Sequence, residues 1–273
     1  MKKKILLIIA FILICTIGVW GITQYKTRAL QNKVLIHESD TLSITIEPVI
    51  KEEENLKMWV ATIKIKDANQ IKSAFSGGDF NSGIKEKTSK MAKDNDAILA
   101  INGSAVNFTD KGIIVRDGEV YRSKTNDCAP LVIDNNGDFK VYSLGEKTAD
   151  ELVEEGAMHT YDFGPELVVN GKIPENFQNQ AWFFEDLQPK TAIGQKGPLE
   201  YVVIVADGRS SESKGISNGQ LAEEFINRGC NIAYNLDGGG SSTLWFKGNV
   251  INNPSDIIGE RRIYDILYFI DGK

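Results

Sequence analysis

Asp237 is the residue from which a chemical argument can start. It ends the apolar run 232–236 and precedes Gly238-Gly239-Gly240-Ser241-Ser242-Thr243. A carboxylate at a strand end supplies a base. The glycines after it leave backbone that a ligand can approach through its N–H groups. Ser241, Ser242 and Thr243 add hydroxyl donors. The plainer reading is a glycine-rich hairpin, since Gly-Gly is turn chemistry. Two other apolar runs end in the same manner, at Asn102-Gly103 and at Asp207-Gly208-Arg209. If these ends share one sheet edge, their polar groups converge on one cleft. The acid/base candidates are Asp237, Asp207, Glu166 and Glu260, each of which also reads as a surface turn residue. Arg209, Arg261 and Lys190 are candidate anion clamps, or members of ordinary salt bridges.

Other motifs lead nowhere. The glycine loop lacks the Gly-Lys-Ser/Thr ending of a phosphate-binding P-loop. Gly215-Ile216-Ser217-Asn218-Gly219 matches a nucleophile elbow, but its approach is polar and both histidines, His37 and His159, come earlier in the chain. Ser217 reads instead as a helix cap. No second histidine stands at ligand spacing from His159. Asp207 and Asp237 offer oxygens that suit Ca2+, but the set is too sparse to predict a site. No cofactor is expected.

These residues need elements to hold them. Leu42, Ile44 and Ile46, then Met58, Val60, Ile63 and Ile65, predict two strands joined across 51–55. A short helix is expected over 84–93, then a buried strand ending at Asn102. Hairpins are expected through Asp117-Gly118 and through Asn135-Asn136-Gly137. The run 201–205 reads as a strand buried on both faces. Leu221, Ala222, Phe225 and Ile226 mark an amphipathic helix from Ser217, stopped by Gly229. The expected fold class is α+β: a mixed β-sheet domain with a few packed helices, after one N-terminal transmembrane helix. The expected divisions are an anchor or uncleaved signal over 1–23, a stalk over 24–40 and one domain over 41–273.

Composition narrows the partners. The 273 residues hold 31 basic and 37 acidic side chains, a formal net charge of −6. The first thirty residues contain five of the basic residues and no acid, so the rest carries about −11. Such a domain has no general attraction for nucleic acid. Lys2, Lys3 and Lys4 precede the uncharged apolar run 5–22, long enough to span a bilayer, with the lysines inside and the domain outside. The expected location is therefore the cell membrane, single-pass, or outside the cell if the segment is cleaved. Of three cysteines, Cys15 lies in that run. Cys128 and Cys230 are read as free thiols rather than a disulfide.

The ordered set of motifs resembles the phosphodiester glycosidase family. It comprises Ala100-Ile101-Asn102-Gly103, Phe163-Gly164-Pro165-Glu166-Leu167-Val168, Thr191-Ala192-Ile193-Gly194, Asp207-Gly208-Arg209, and Asn235-Leu236-Asp237-Gly238-Gly239-Gly240-Ser241-Ser242-Thr243. Asn252-Asn253-Pro254 and Glu260-Arg261 close it, and the set lies within residues 80–270. The family commonly has arginine where this chain has Lys190, and the 104–108 segment departs from its usual pattern. The resemblance implies hydrolysis of a sugar-1-phosphodiester at the glycosidic C1–O bond, on a phosphodiester-linked sugar or cell-wall glycan. It places Asp237 as the central carboxylate, with Glu260 or Asp207 as partner. Asn102 and Asn235 would orient the sugar beside Gly103. Lys190, Arg209, Arg261, Gly238 to Gly240, Ser241, Ser242 and Thr243 would hold the phosphate. A non-catalytic polysaccharide-binding protein and a glycosyl transferase remain the alternatives.

Overall fold

The computed structural model describes residues 30–107, 109–125 and 127–272. The apolar run expected as a membrane anchor lies outside them. No helix among the described residues is long and apolar enough to cross a membrane. Part of the expected stalk belongs to the domain. Leu35–Glu38 pairs with Leu42–Lys51, and the buried Gln31 accepts the Trp59 indole N–H on its carbonyl at 3.1 Å. The reason is packing: the Trp59 ring is fully buried, and its N–H needs a partner there.

Two antiparallel sheets face each other. The seven-stranded sheet runs, in spatial order, Leu35–Glu38, Leu42–Lys51, Leu56–Ile65, Glu200–Ala206, Lys190–Gly197, Ile232–Asn235 and Glu166–Val169. The five-stranded sheet runs Asn249–Val250, Leu244–Phe246, Leu99–Asn102, Asp265–Phe269 and Ile71–Phe75. Pro48, which has no N–H to give, sits in the stretch of its strand beyond the pairing with Leu35–Glu38.

Period-two alternation builds the layers. Trp59, Ala61, Ile63, Tyr201, Val203, Val205, Tyr234 and Leu236 point into the core between the sheets. Leu99, Ile101, Leu244, Phe246, Leu267 and Phe269 meet them from the other side. The intervening residues Met58, Val60, Val202, Ile204 and Ala233 face the helix Asn218–Asn227 through Leu221, Ala222 and Phe225. On the far face of the smaller sheet, Ala100, Trp245, Ile266 and Tyr268 pack on Met91 and Ala92 of the helix Thr88–Asp94. The result is helix, sheet, sheet, helix. Gly194 allows the close helix contact, because a Cβ there would meet the Phe225 ring and the Cys230 sulfur. A three-stranded sheet with Leu131, Ile133 and Phe139 extends the core at one side.

The helix expected over 84–93 forms only over Thr88–Asp94. Its first part, Glu86–Lys87, is a short strand paired with Arg262–Ile263. Ser217 is a helix cap, its hydroxyl accepting the Gln220 N–H at 3.2 Å. Cys128 and Cys230 are free thiols.

Candidate active site

The strand Leu99–Asn102 belongs to one sheet and Ile232–Asn235 to the other, and their ends meet. Asp237 N–H donates to the Gly103 carbonyl at 3.2 Å, and the Asn102 amide donates to the Asp237 carbonyl at 2.5 Å. Asn102 Oδ1 accepts the Thr191 hydroxyl at 2.8 Å and the Thr243 N–H at 3.1 Å. Asn102 is thus a fully buried knot joining three chain segments, not a group held out toward a sugar. Asn235 is engaged through its nitrogens alone: its amide donates to the Gly164 carbonyl at 2.8 Å, and its backbone N–H donates to the Pro165 carbonyl at 3.1 Å, while its Oδ1 is buried without a partner among the described residues.

Beyond this knot lies a cavity of about 320 Å3 that Asp237, Ser241, Arg261, Lys85, Ser104 and Phe163 help to line. Asp237 is half-buried. Burial pushes its carboxyl above the ordinary aspartate range, opposed by the Ser241 hydroxyl, the Gly238 N–H and the Arg261 guanidinium. The cations lining the cavity are Arg261, Arg262 and Lys85. The Ser241 and Ser242 hydroxyls are buried, and neither completes a well-directed hydrogen bond to the described protein atoms.

The three glycines serve close approach more than amide presentation. Gly239 N–H donates to the Pro189 carbonyl at 2.9 Å. Ser241 and Ser242 N–H groups turn back onto Gly238 and Gly239 at 3.1 and 3.2 Å. A Cβ on Gly238 would press on the Pro189 carbonyl. On Gly239, whose φ is +60°, a Cβ would meet the Arg209 guanidinium. On Gly240 it would collide with Asp256 and Arg261. Those last two form a bidentate pair, Arg261 Nε to Asp256 Oδ2 and a terminal nitrogen to Oδ1, each at 2.8 Å. The glycine run is therefore a floor on which guanidinium groups lie.

Several expected residues take other positions. Asp207 is only 4% exposed. Its Oδ1 accepts the Asn253 N–H at 2.8 Å and the Asn252 amide at 3.3 Å. Burial pushes its carboxyl up to about 7, against the pull of those two bonds and of Lys57. Asn252 in turn grips the loop, accepting Leu244 N–H at 2.8 Å and donating to the Ser242 carbonyl at 2.9 Å. Glu260 holds the start of the helix Thr88–Asp94, its two oxygens accepting the Ser89 N–H at 2.8 Å and the Ser89 hydroxyl at 2.6 Å. Glu260 does not itself line the Asp237 cavity. Lys190 is buried, which lowers its ammonium against the pull of Asp186, and it does not line the cavity. Arg209 donates to Gln188 at 2.9 Å. Thr243 is fully buried in the knot, its hydroxyl donating to the Ser241 carbonyl at 3.0 Å.

Two residues that the motifs did not single out stand behind the cavity. Asp265 is wholly buried, paired with Arg116 at 2.7 Å, with Ser104 N–H and hydroxyl each 3.4 Å from the same oxygen. Burial pushes it up to about 6, and the Asp237 charge adds to that rise. The Arg116 guanidinium lies 4.6 Å from the Tyr161 ring centre and 5.5 Å from that of Phe75. Gly103 is glycine because a Cβ would collide with the Asp265 carboxylate. The available signal was a lone charge in the apolar run 263–270. No group of three or more His, Cys, Asp or Glu side chains among the described residues could hold a metal ion.

Comparisons with known proteins agree with this architecture. The sequence profile described as Phosphodiester glycosidase matches residues 95–270. The SPbeta prophage-derived uncharacterized protein YomE of Bacillus subtilis (strain 168) is 33% identical over 269 residues, 89% of this chain and 41% of that protein. The N-acetylglucosamine-1-phosphodiester alpha-N-acetylglucosaminidase of Bos taurus is 26% identical over 174 residues, 52% of this chain and 33% of that enzyme. This chain thus spans less than half the length of either relative. Among solved structures, the zebrafish N-acetylglucosamine-1-phosphodiester alpha-N-acetylglucosaminidase catalytic domain, auto-inhibited by its pro-peptide, superposes with a TM-score of 0.68. The identity is 20%, and the match covers 88% of each chain. A hypothetical protein from Synechocystis gives a TM-score of 0.66 at 12% identity, over 86% of this chain and 63% of that one. These structural matches establish the fold: a sheet-dominated domain with few helices. The sequence match over 95–270 covers more than half of the residues, and the chain belongs to the phosphodiester glycosidase family.

Proposed function

We propose that this protein hydrolyses the glycosidic C1–O bond of a sugar-1-phosphodiester on a cell-envelope or extracellular glycan. The observation that carries the reading is the Asp237 cavity. A half-buried carboxylate with a raised pKa opens there beside Arg261, Arg262 and Lys85. Breaking the C1–O bond builds positive charge on the sugar and negative charge on the departing phosphate. The Asp237 carboxylate stabilises the first, or draws a proton from the attacking water. Arg261, Arg262 and Lys85 stabilise the second, with the Ser241 hydroxyl beside Asp237 as a further donor. Water adds OH to C1 and its proton ends on the phosphate, giving free sugar and a phosphomonoester. The apolar run 5–22 behind three lysines supports an envelope location, with the domain outside the membrane.

The test is incubation of the purified protein with an aryl sugar-1-phosphate diester. Free sugar released by the wild type and lost in Asp237→Asn supports hydrolysis. A new glycoside would instead indicate transfer, and a bound but intact diester would indicate a binding protein.

A further inference from the structure

A second and larger void, about 1080 Å3, opens beside the first. The two share a wall: Phe163 lines the Asp237 cavity, and the next three residues, Gly164, Pro165 and Glu166, line the larger groove. Consecutive Cα atoms are about 3.8 Å apart, so the two voids flank one short stretch of backbone. Asn235 ties this wall to the strand that leads into Asp237, through its bonds to the Gly164 and Pro165 carbonyls at 2.8 and 3.1 Å.

The groove presents a fixed aromatic face. Trp182 is 48% exposed, on the short helix Ala181–Glu185. Its ring stands edge-on to Phe177 and Phe183, each 5.8 Å away, at 84° and 78°. Phe177 and Phe183 stack on each other at 5.0 Å and 6°. An indole steadied on one side and open on the other suits the C–H face of a pyranose ring. It also costs little ordering entropy when it binds. Around it stand the side chains of Asn170, Asn176, Gln178 and Glu166. Amides both give and take hydrogen bonds and a carboxylate accepts them, as sugar hydroxyls require. The charges favour a neutral occupant. Asp127, Glu166 and Glu175 line it with one cation, Lys172, so a phosphate-rich segment meets net repulsion here, unlike in the Asp237 cavity.

We infer that this groove binds uncharged saccharide units attached to the phosphodiester that the Asp237 cavity receives. The substrate is then a glycan chain rather than an isolated sugar phosphate. This inference deepens the hydrolase reading and rests on it for its kinetic consequence, but not for binding.

The experiment uses the full chain in detergent and the probes chitotetraose and maltotetraose, measured by titration calorimetry. Wild type binds at least one of them, Trp182→Ala weakens that affinity about tenfold or more, and Ile50→Ala, an exposed change outside the groove, retains it. A diester carrying that tetrasaccharide as its leaving group should lose more kcat/KM in Trp182→Ala than the aryl diester does. Failure of both probes to bind wild type at millimolar concentration, or equal binding by Trp182→Ala, overturns the groove assignment. Absence of free sugar from the aryl diester, with tetrasaccharide binding intact, overturns the hydrolase reading alone.

Discussion

Asp237 and Asp207 carry one sequence signature into two different surroundings. Each follows an apolar strand, Ile232–Asn235 or Glu200–Ala206, and each precedes glycine. Asp237 opens on a cavity with arginine beside it. Asp207 is sealed by the 252–253 segment, which supplies both of its hydrogen bonds. Burial raises both carboxyls, yet only one faces a space that a substrate can fill. A strand end followed by Asp-Gly therefore places a carboxylate at the edge of a sheet. What folds over that edge decides between chemistry and architecture.

The sharpest test of the contrast is catalytic. Asp237→Asn should lower turnover of a sugar-1-phosphodiester about 1000-fold, the middle of the range for a positioned acid or base, with little change in Tm. Asp207→Asn should retain most of the activity. Equal losses would erase the distinction. In the proposed reaction Asp237 acts in its ionised form, and its pKa is raised from 3.8. The acid limb of kcat/KM should therefore lie above that value, and a limb at or below it would contradict the assignment.

Asn102 bears on the architectural side. Asn102→Ala leaves the Thr191 hydroxyl, the Thr243 N–H and the Asp237 carbonyl without their present partner. Each buried orphan costs about 1–3 kcal/mol, so urea unfolding should show a loss of roughly 3–9 kcal/mol. A loss below about 1 kcal/mol would mean that the knot is not structural.

Asp207 supplies a pH signature. Its folded pKa of about 7 lies above the ordinary aspartate value, so the folded state holds that proton more tightly. The stabilising share of the group is complete below about pH 4 and is lost as pH rises through 7. Asparagine keeps an Oδ1 acceptor for the two donors. Asp207→Asn should thus be more stable than wild type by about 2 kcal/mol at pH 8 and equal to it near pH 4. Thermal melts across that range, showing no pH-dependent gap, would refute the sealed environment. The smallest effect belongs to Glu260→Gln, which should cost about 1 kcal/mol through the weakened helix start and leave turnover intact. A collapse in activity would return Glu260 to the side of Asp237.

Much of the fold was legible. Alternation in 42–46 and 58–65 and the continuous apolar run 201–205 mark strands of the large sheet, the last because a strand buried on both sides must be apolar at successive positions. The convergence of the Asn102-Gly103 and Asp237-Gly238 ends follows the expectation, although the two strands belong to different sheets and the Asp207-Gly208 end does not line the cavity. The roles of these residues were not legible, since an amide aimed at a ligand and one aimed at a backbone carbonyl share the same letters. The Asp265–Arg116 pair leaves no local signature, because its members stand 149 positions apart in sequence. Nothing local announces that a guanidinium will lie across Tyr161.

The amino-acid order alone determined the strands, the glycine floor and the family, since periodicity and ordered motifs are properties of neighbours along the chain. The tertiary structure alone decided which carboxylate meets open space, which amides are knots and where the aromatic groove lies. Exposure, partner choice and pKa depend on atoms brought together from distant segments, and no local pattern encodes that coverage.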